Sequence, residues 1–222
     1  MFSSVILEST DRIRQASTQL ENIKNLENDS DRSFTDLIKI QKGLFFISLY
    51  AAIEYTITAS TSQFLTALQT IPKKPTDYKK YILCTALNPQ FNALTSGTKK
   101  GIWQKKAQLI DCLFSEEIVE FDNAVFPTDG TNIAYDQIAE IWKLFHLPEP
   151  VVPDEVHPWI LKEIKDHRNA IAHGREKADF IGGRFTSELL ESRLNVVNLL
   201  CSHIITAFEE HFRAQTFLNN NL

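Results

Sequence analysis

The sequence predicts a single all-α domain over residues 1–222, an antiparallel helical bundle with a lysine-rich, partly irregular insertion. Three observations point there. Only 7 Gly and 8 Pro occur in 222 residues, too few for a fold of many short strands and tight turns. Residues 34–69 contain no proline and only Gly43, which leaves room for one long helix. Elsewhere, apolar residues recur every three or four positions, the period of a helix with one buried face. Apolar residues make up 43% and charged residues 23%. That balance excludes a disordered chain. A chain of this length buries enough surface to need no disulfide or metal as a staple.

Residues 1–28 form an N-terminal helix, clearest from Val5 to Glu27. Ile6, Ser9, Ile13, Ala16, Leu20 and Ile23 set one narrow stripe on a polar rod. A polar break follows, with Ser30, Asp31 and Ser33 as cap candidates for the next helix. Residues 34–70 are the long core helix. From Leu44 to Ile53 it is apolar nearly all round, which places it at the centre of a bundle. The apolar run is 11 residues, Gly43 to Ile53, and stops at Glu54. A membrane span needs about 20, so a core helix and no membrane partner are expected. The first residues lack a basic segment and a small-residue cleavage site. Cys84, Cys112 and Cys201 are scattered, with no CxxC and no zinc-ligand spacing. They fit buried thiols in a reducing compartment. A soluble cytoplasmic protein is expected.

Residues 71–132 are the basic insertion. Pro72 and Pro75 close the long helix. A short helical segment spans Tyr78 to Leu87 and stops before Pro89. Gly97 and Gly101 flank Lys99 and Lys100, a helix follows from Ile102 to Phe114, and residues 127–130 carry a turn signal. Between Ile71 and Ile110 stand Lys73, Lys74, Lys79, Lys80, Lys99, Lys100, Lys105 and Lys106 against one acid, Asp77. That is a local net charge of +7, leaving −12 elsewhere in a chain whose total is −5. Such asymmetry points to a polyanion partner. A solvated lysine face would look the same.

Residues 133–222 hold the last helices. Tyr135 to Phe145 is helical, and a stiff four-proline connection runs from Leu147 to Pro158. Pro158 suits the first turn of the next helix, Trp159 to His173, which Gly174 ends. Arg175 to Phe185 reads as a loop. The final helix runs from Ser187 to Arg213, with Leu190, Leu194, Val197, Cys201, Ile204, Phe208 and Phe212 facing the core.

The chain has no phosphate-loop, dinucleotide, zinc-protease or serine-hydrolase signature. No carboxylate cluster marks a metal site, so neither a metal nor a cofactor is expected. One segment stands apart, residues 166–174, reading DHRNAIAHG. On a helical wheel Ile160, Leu161, Ile164, Ile171 and Ala172 share one side, and Arg168 falls among them. Asp166, Asn169 and His173 share the other. Arg168 keeps its charge, so it needs a partner wherever it is buried. It can snorkel, pair with a core acid such as Glu54, or enter a groove shared with a second subunit. His157 and His167 read as surface residues. His173, at a helix C-terminus, is also where the helix dipole favours a histidine.

The run Arg168 to Gly174 resembles the R-x4-6-H signature of the HEPN superfamily, in the form with a polar residue directly after Arg. The long helix bearing LYAAIEY is similar to the early core helix of these proteins. Within the superfamily the chain looks most like the MAE-type and RiboL-PSP-type branches. The resemblance implies an all-α bundle and a metal-independent ribonuclease of toxin–antitoxin, phage-defence or RNA-processing systems. It implies Arg168, His173 and Asn169 as catalytic residues; with RNA as the polyanion, Arg175 and the eight lysines, singled out by charge, are expected to bind it. It implies a homodimer with a composite site and an antitoxin or operon-encoded partner. One departure is clear: Arg175 stands two residues after His173, where toxins paired with nucleotidyltransferases have Tyr.

The residue types suit that chemistry. Histidine exchanges a proton near neutral pH. An arginine fork stabilises charge on phosphoryl oxygens. An amide such as Asn169 orients the histidine or binds phosphate. The products would be a 2′,3′-cyclic phosphate and a 5′-hydroxyl. Five residues separate Arg168 from His173, so on a regular helix they diverge by about 140°. Either the helix end distorts or two copies pair. A binding module that does not cut, or a helical interaction domain, would carry the same motif.

Overall fold

The computed structural model describes residues 1–28, 35–96, 101–127 and 132–219. Among them the regular elements are helical: α1 (Ser3–Asn28), α2 (Thr35–Leu68), α3 (Leu83–Ala86), α4 (Asn88–Thr95), α5 (Ile102–Leu113), α6 (Tyr135–Phe145), α7 (Pro158–Ala172), α8 (Ala178–Gly182) and α9 (Ser187–Arg213). The cap candidates Ser30, Asp31 and Ser33, the lysines Lys99 and Lys100, and most of the 127–130 turn lie outside the described residues.

Helix α2 is the axis. Phe45, Phe46, Leu49, Ala52, Ile57, Phe64, Leu65 and Leu68 are fully enclosed. By length and composition α2 could cross a membrane, yet its apolar surface is covered by α1, α7, α8 and α9. Among its buried hydroxyls, that of Thr56 donates to Ala52 O and pairs with Ser9 of α1, whereas those of Ser60 and Thr61 have no hydrogen-bond partner among the described residues. On α1 the buried positions are Val5, Ser9, Ala16, Leu20 and Ile23, with Ile6 left 42% exposed. The stripe therefore starts one residue earlier than the spacing predicts, because Phe2 and Val5 fill the core end.

Two elements differ from expectation. The short helix α3 ends before Pro89, as expected, but Pro89 also opens a further helix. It sits in the first turn of α4, where the missing N–H has no partner to lose. The segment after the motif contains α8, which packs backbone to backbone on α2. A Cβ on Gly43 would lie 2.0 Å from Ala178 O, and one on Gly182 would lie 1.9 Å from Lys39 O. Only glycine permits that approach. Buried Lys42 fastens the same corner by donating to Phe185 O at 2.9 Å and pairing with Glu27 of α1 at 2.5 Å. Glu27 also accepts from Ser187 at the start of α9. Of the cysteines only Cys201 is buried, and Cys84 is exposed, because α3 contributes Leu83 and Thr85 to the interior instead.

His211 near the end of α9 is enclosed by Phe64 and Phe217. Burial, helped by Lys79 and His146, pushes its pKa down to about 4. The folded state therefore holds it neutral where the unfolded chain takes a proton. Its contribution is complete above the ordinary value of 6.5 and is lost as pH falls toward 4. The loss is at most about 3 kcal/mol. Thermal melts between pH 7 and pH 4 should show this decline, and His211→Phe should flatten it.

Candidate functional site

Helix α7 starts at Pro158 and ends as the sequence predicts. His173 is its C-cap, and Gly174 follows with φ +66°. The Arg175 and Glu176 amides both fold back onto Ala170 O, at 2.8 and 3.2 Å. This close turn brings Arg175 beside the last turn of α7. Lys165, Asn169 and His173 follow at four-residue steps on one face. Together with Asn132, Asp166 and Arg175 they line an open groove of about 570 Å³. His173 and Arg175 are exposed. Lys165 leans toward Asp166, 3.8 Å away, and Asp166 also pairs with Lys162. The groove thus offers three basic side chains, two amides and one acid that is already engaged.

Arg168 does not line this groove. Its guanidinium lies 4.4 Å from the centre of the Tyr50 ring and 3.8 Å from Glu54 of α2. The side chain is 28% exposed, so the position among apolar neighbours resolves into a half-buried platform. Glu54, the core acid named from sequence, is the charged neighbour. Arg168 still reaches the groove indirectly. Its Nη1 donates to Asn169 Oδ1 at 2.7 Å, and Asn169 Nδ2 donates to Asn132 Oδ1. The structure therefore joins Arg168, Asn169 and His173 into one neighbourhood without placing Arg168 and His173 on a common ligand position within one chain.

Several expectations need correction. Asn169 belongs to the exposed side of the wheel, yet it is 8% exposed, with Asn132 and Arg168 bonded to its side chain. Ala172, placed on the apolar arc, is exposed. His167 is half-buried, edge-on to Phe46 at 4.8 Å and Phe185 at 5.4 Å. Burial holds its pKa below the usual histidine value. His157 is exposed.

Among the described lysines of the insertion, Lys73, Lys74, Lys79, Lys80, Lys105 and Lys106, none lines the groove. Lys74 pairs with Glu116 at 3.0 Å, and Lys105 donates to Ala93 O at 2.9 Å. Lys106 rests over Trp103 and Lys80 over Tyr81. A larger cavity of about 830 Å³ is bordered by Cys84, Phe91, Val125, Phe126, Glu140 and Leu144. It holds none of the catalytic or RNA-binding residues predicted from sequence, and its charged lining is acidic, Asp122 and Glu140, which does not suit a phosphate. Sequence reasoning missed Lys165, Tyr50 and Asn132. Lys165 lies four residues before Asn169, and Tyr50 four before Glu54, so helical spacing could have found both. No local signal points to Asn132.

No curated protein and no solved structure matches the chain. The RiboL-PSP-HEPN family does, over residues 11–210, which takes in α2, the groove and most of α9. The chain belongs to the RiboL-PSP-HEPN family.

Proposed function

We propose that the protein is a metal-independent endoribonuclease whose site is the groove at the end of α7. The observation that carries this reading is the convergence there of His173, Asn169, Lys165 and Arg175, with Arg168 coupled through Asn169. HEPN domains generally act on RNA. In the proposed reaction a 2′-oxygen attacks the adjacent phosphorus and its proton passes to a histidine. The bond to the 5′-oxygen breaks, and that oxygen receives a proton. The products are a 2′,3′-cyclic phosphate and a 5′-hydroxyl. Lys165 and Arg175 hold the phosphate charge. Arg168 stabilises the charge that grows in the transition state.

One His173 cannot stand on both sides of the scissile phosphate, and Arg168 faces another direction. A two-fold dimer that sets two α7 ends against each other would supply both histidines and both arginines. We read the protein as such a dimer, a cytoplasmic toxin or phage-defence effector held in check by an antitoxin or other operon-encoded partner. A second reading is an RNA-binding module that does not cut, which the engagement of Arg168 by Tyr50 and Glu54 favours.

The test is incubation of purified protein with RNA in EDTA, followed by analysis of the ends. Cyclic-phosphate termini support the nuclease. Tight binding with intact RNA supports the module. A monomer by light scattering at micromolar concentration, still fully active, overturns the composite site. Charge reversal at Lys99, Lys100, Lys105 and Lys106 is expected to weaken RNA binding and flatten its salt dependence. Each lost single-strand phosphate contact lowers the log–log slope by about 0.7. An unchanged slope assigns these lysines to a solvated face.

A further inference from the structure

We propose that Asn132 is a positioning residue whose side-chain oxygen sets the polarity of the Asn169 amide and, through it, the orientation of the Arg168 guanidinium. The catalytic consequence rests on the nuclease reading above, whereas the positioning itself does not.

Asn132 has φ +56°. That left-handed conformation disfavours most side chains, and asparagine is among the few that adopt it. The next residue is also held: Ile133 N donates to the Tyr50 hydroxyl at 2.8 Å. Residues 132 and 133 therefore grip both supports of Arg168, the Tyr50 ring on one side and the Asn169 amide on the other.

The polarity argument follows from donor and acceptor inventories. A guanidinium only donates, and an amide presents one acceptor and one doubly donating end. Asn169 satisfies Arg168 only while its oxygen faces Nη1. Turned over, it would set two donors against each other in a largely buried place. Asn169 is 8% exposed, so water is a poor substitute for the missing bond. The second group that disfavours the turned state is the acceptor at Asn132 Oδ1, which takes the Nδ2 proton. Nothing in the 168–174 motif itself supplies that acceptor.

Two substitutions separate backbone from side chain. Asn132→Gly keeps the left-handed turn at no steric cost and removes the acceptor. Asn132→Asp keeps an acceptor at the same reach. With RNA as substrate, Asn132→Gly should lower kcat by about 10–100-fold, the scale of a misplaced catalytic group. KM and melting temperature should stay near wild type, and Asn132→Asp should recover most of kcat. Wild-type kcat in the glycine variant overturns the proposal. So does a loss that tracks melting temperature and that aspartate does not rescue.

A second readout needs no activity. The Asn169 side-chain NH₂ resonances, assigned by their disappearance in Asn169→Asp, should be protected in wild type and in Asn132→Asp. They should move and exchange faster in Asn132→Gly. If wild type leaves RNA intact while these resonances behave so, the nuclease reading fails and the positioning role stands. If they are unmoved by Asn132→Gly, the positioning role fails whatever the enzyme does.

Discussion

His173→Ala is expected to lose RNA cleavage by about 10²–10⁴-fold, the usual cost of removing a general acid–base group. His173 is exposed at the C-cap of α7, and among the described residues its hydrogen bonds to the fold are made through its main chain. Its removal should leave the helical far-UV spectrum and the melting temperature in place. Arg168→Ala should cost a comparable factor by a different route. It removes the guanidinium that spans Tyr50, Glu54 and Asn169, so some stability is lost with it. Arg168→Lys tells the two effects apart: it restores charge near Glu54 without the planar fork, and cleavage should stay low while stability recovers. Mixing His173→Ala with Arg168→Ala subunits tests a shared site, since partial activity returns only where one intact half suffices. Freshly purified His173→Ala that cuts RNA as fast as wild type would sink the assignment.

The largest expected effect on stability comes from the glycine contact between α2 and α8. A methyl group on Gly43 or Gly182 meets carbonyl oxygen at 2.0 or 1.9 Å, and both obstacles are backbone. Overpacking of this kind costs about 3 kcal/mol. In a chain of 222 residues that is a fall in melting temperature of roughly 6–12 °C. Gly183→Ala is the internal control. Its nearest obstacle is Asp179 O at 3.2 Å, so a small shift absorbs it and little change is expected. Gly174→Ala probes another mechanism: there is open space around it but φ is +66°, and the cost is about 1–2 kcal/mol of backbone strain. An unchanged melting temperature for Gly182→Ala would mean that α8 does not sit on α2 as described.

Much of this architecture is legible in the sequence because it is local. The bounds of α6 and α9 follow from apolar period and from flanking polar residues, and those of α7 from Pro158 and Gly174. The family assignment follows from Arg168 to Gly174 together with the layout around it. What escapes is set by chain segments meeting at a distance. Gly43 and Gly182 lie far apart in sequence, and each alone looks like an ordinary helix or loop glycine. Asn169 occupies the polar side of any wheel, yet it is buried, with Asn132 and Arg168 bonded to its side chain. Pro89 carries the same local signal whether it ends one helix or begins the next. The sequence offers Glu54 as a partner for Arg168, but the wheel cannot show that the Tyr50 ring also awaits it there.

The packing of α1 against both α2 and α9 also fixes an order in time. Helix α1, made before α2, and helix α9, made well after it, close the same side of the bundle, through Lys24–Glu191 at 2.9 Å and the Glu27–Ser187 bond. Helix α2, apolar on nearly every side, must therefore wait for α9 before that side is covered. At 5–20 residues per second the interval between completing α2 and completing α9 is about 7–30 s. Through that interval Phe64, fully enclosed in the finished protein, lacks the cover of Phe208, His211 and Phe212. A nascent chain halted before α9 would carry the whole Arg168–His173 motif on an unfinished scaffold. Protein synthesis itself thus delays the assembled groove until α9 has been made.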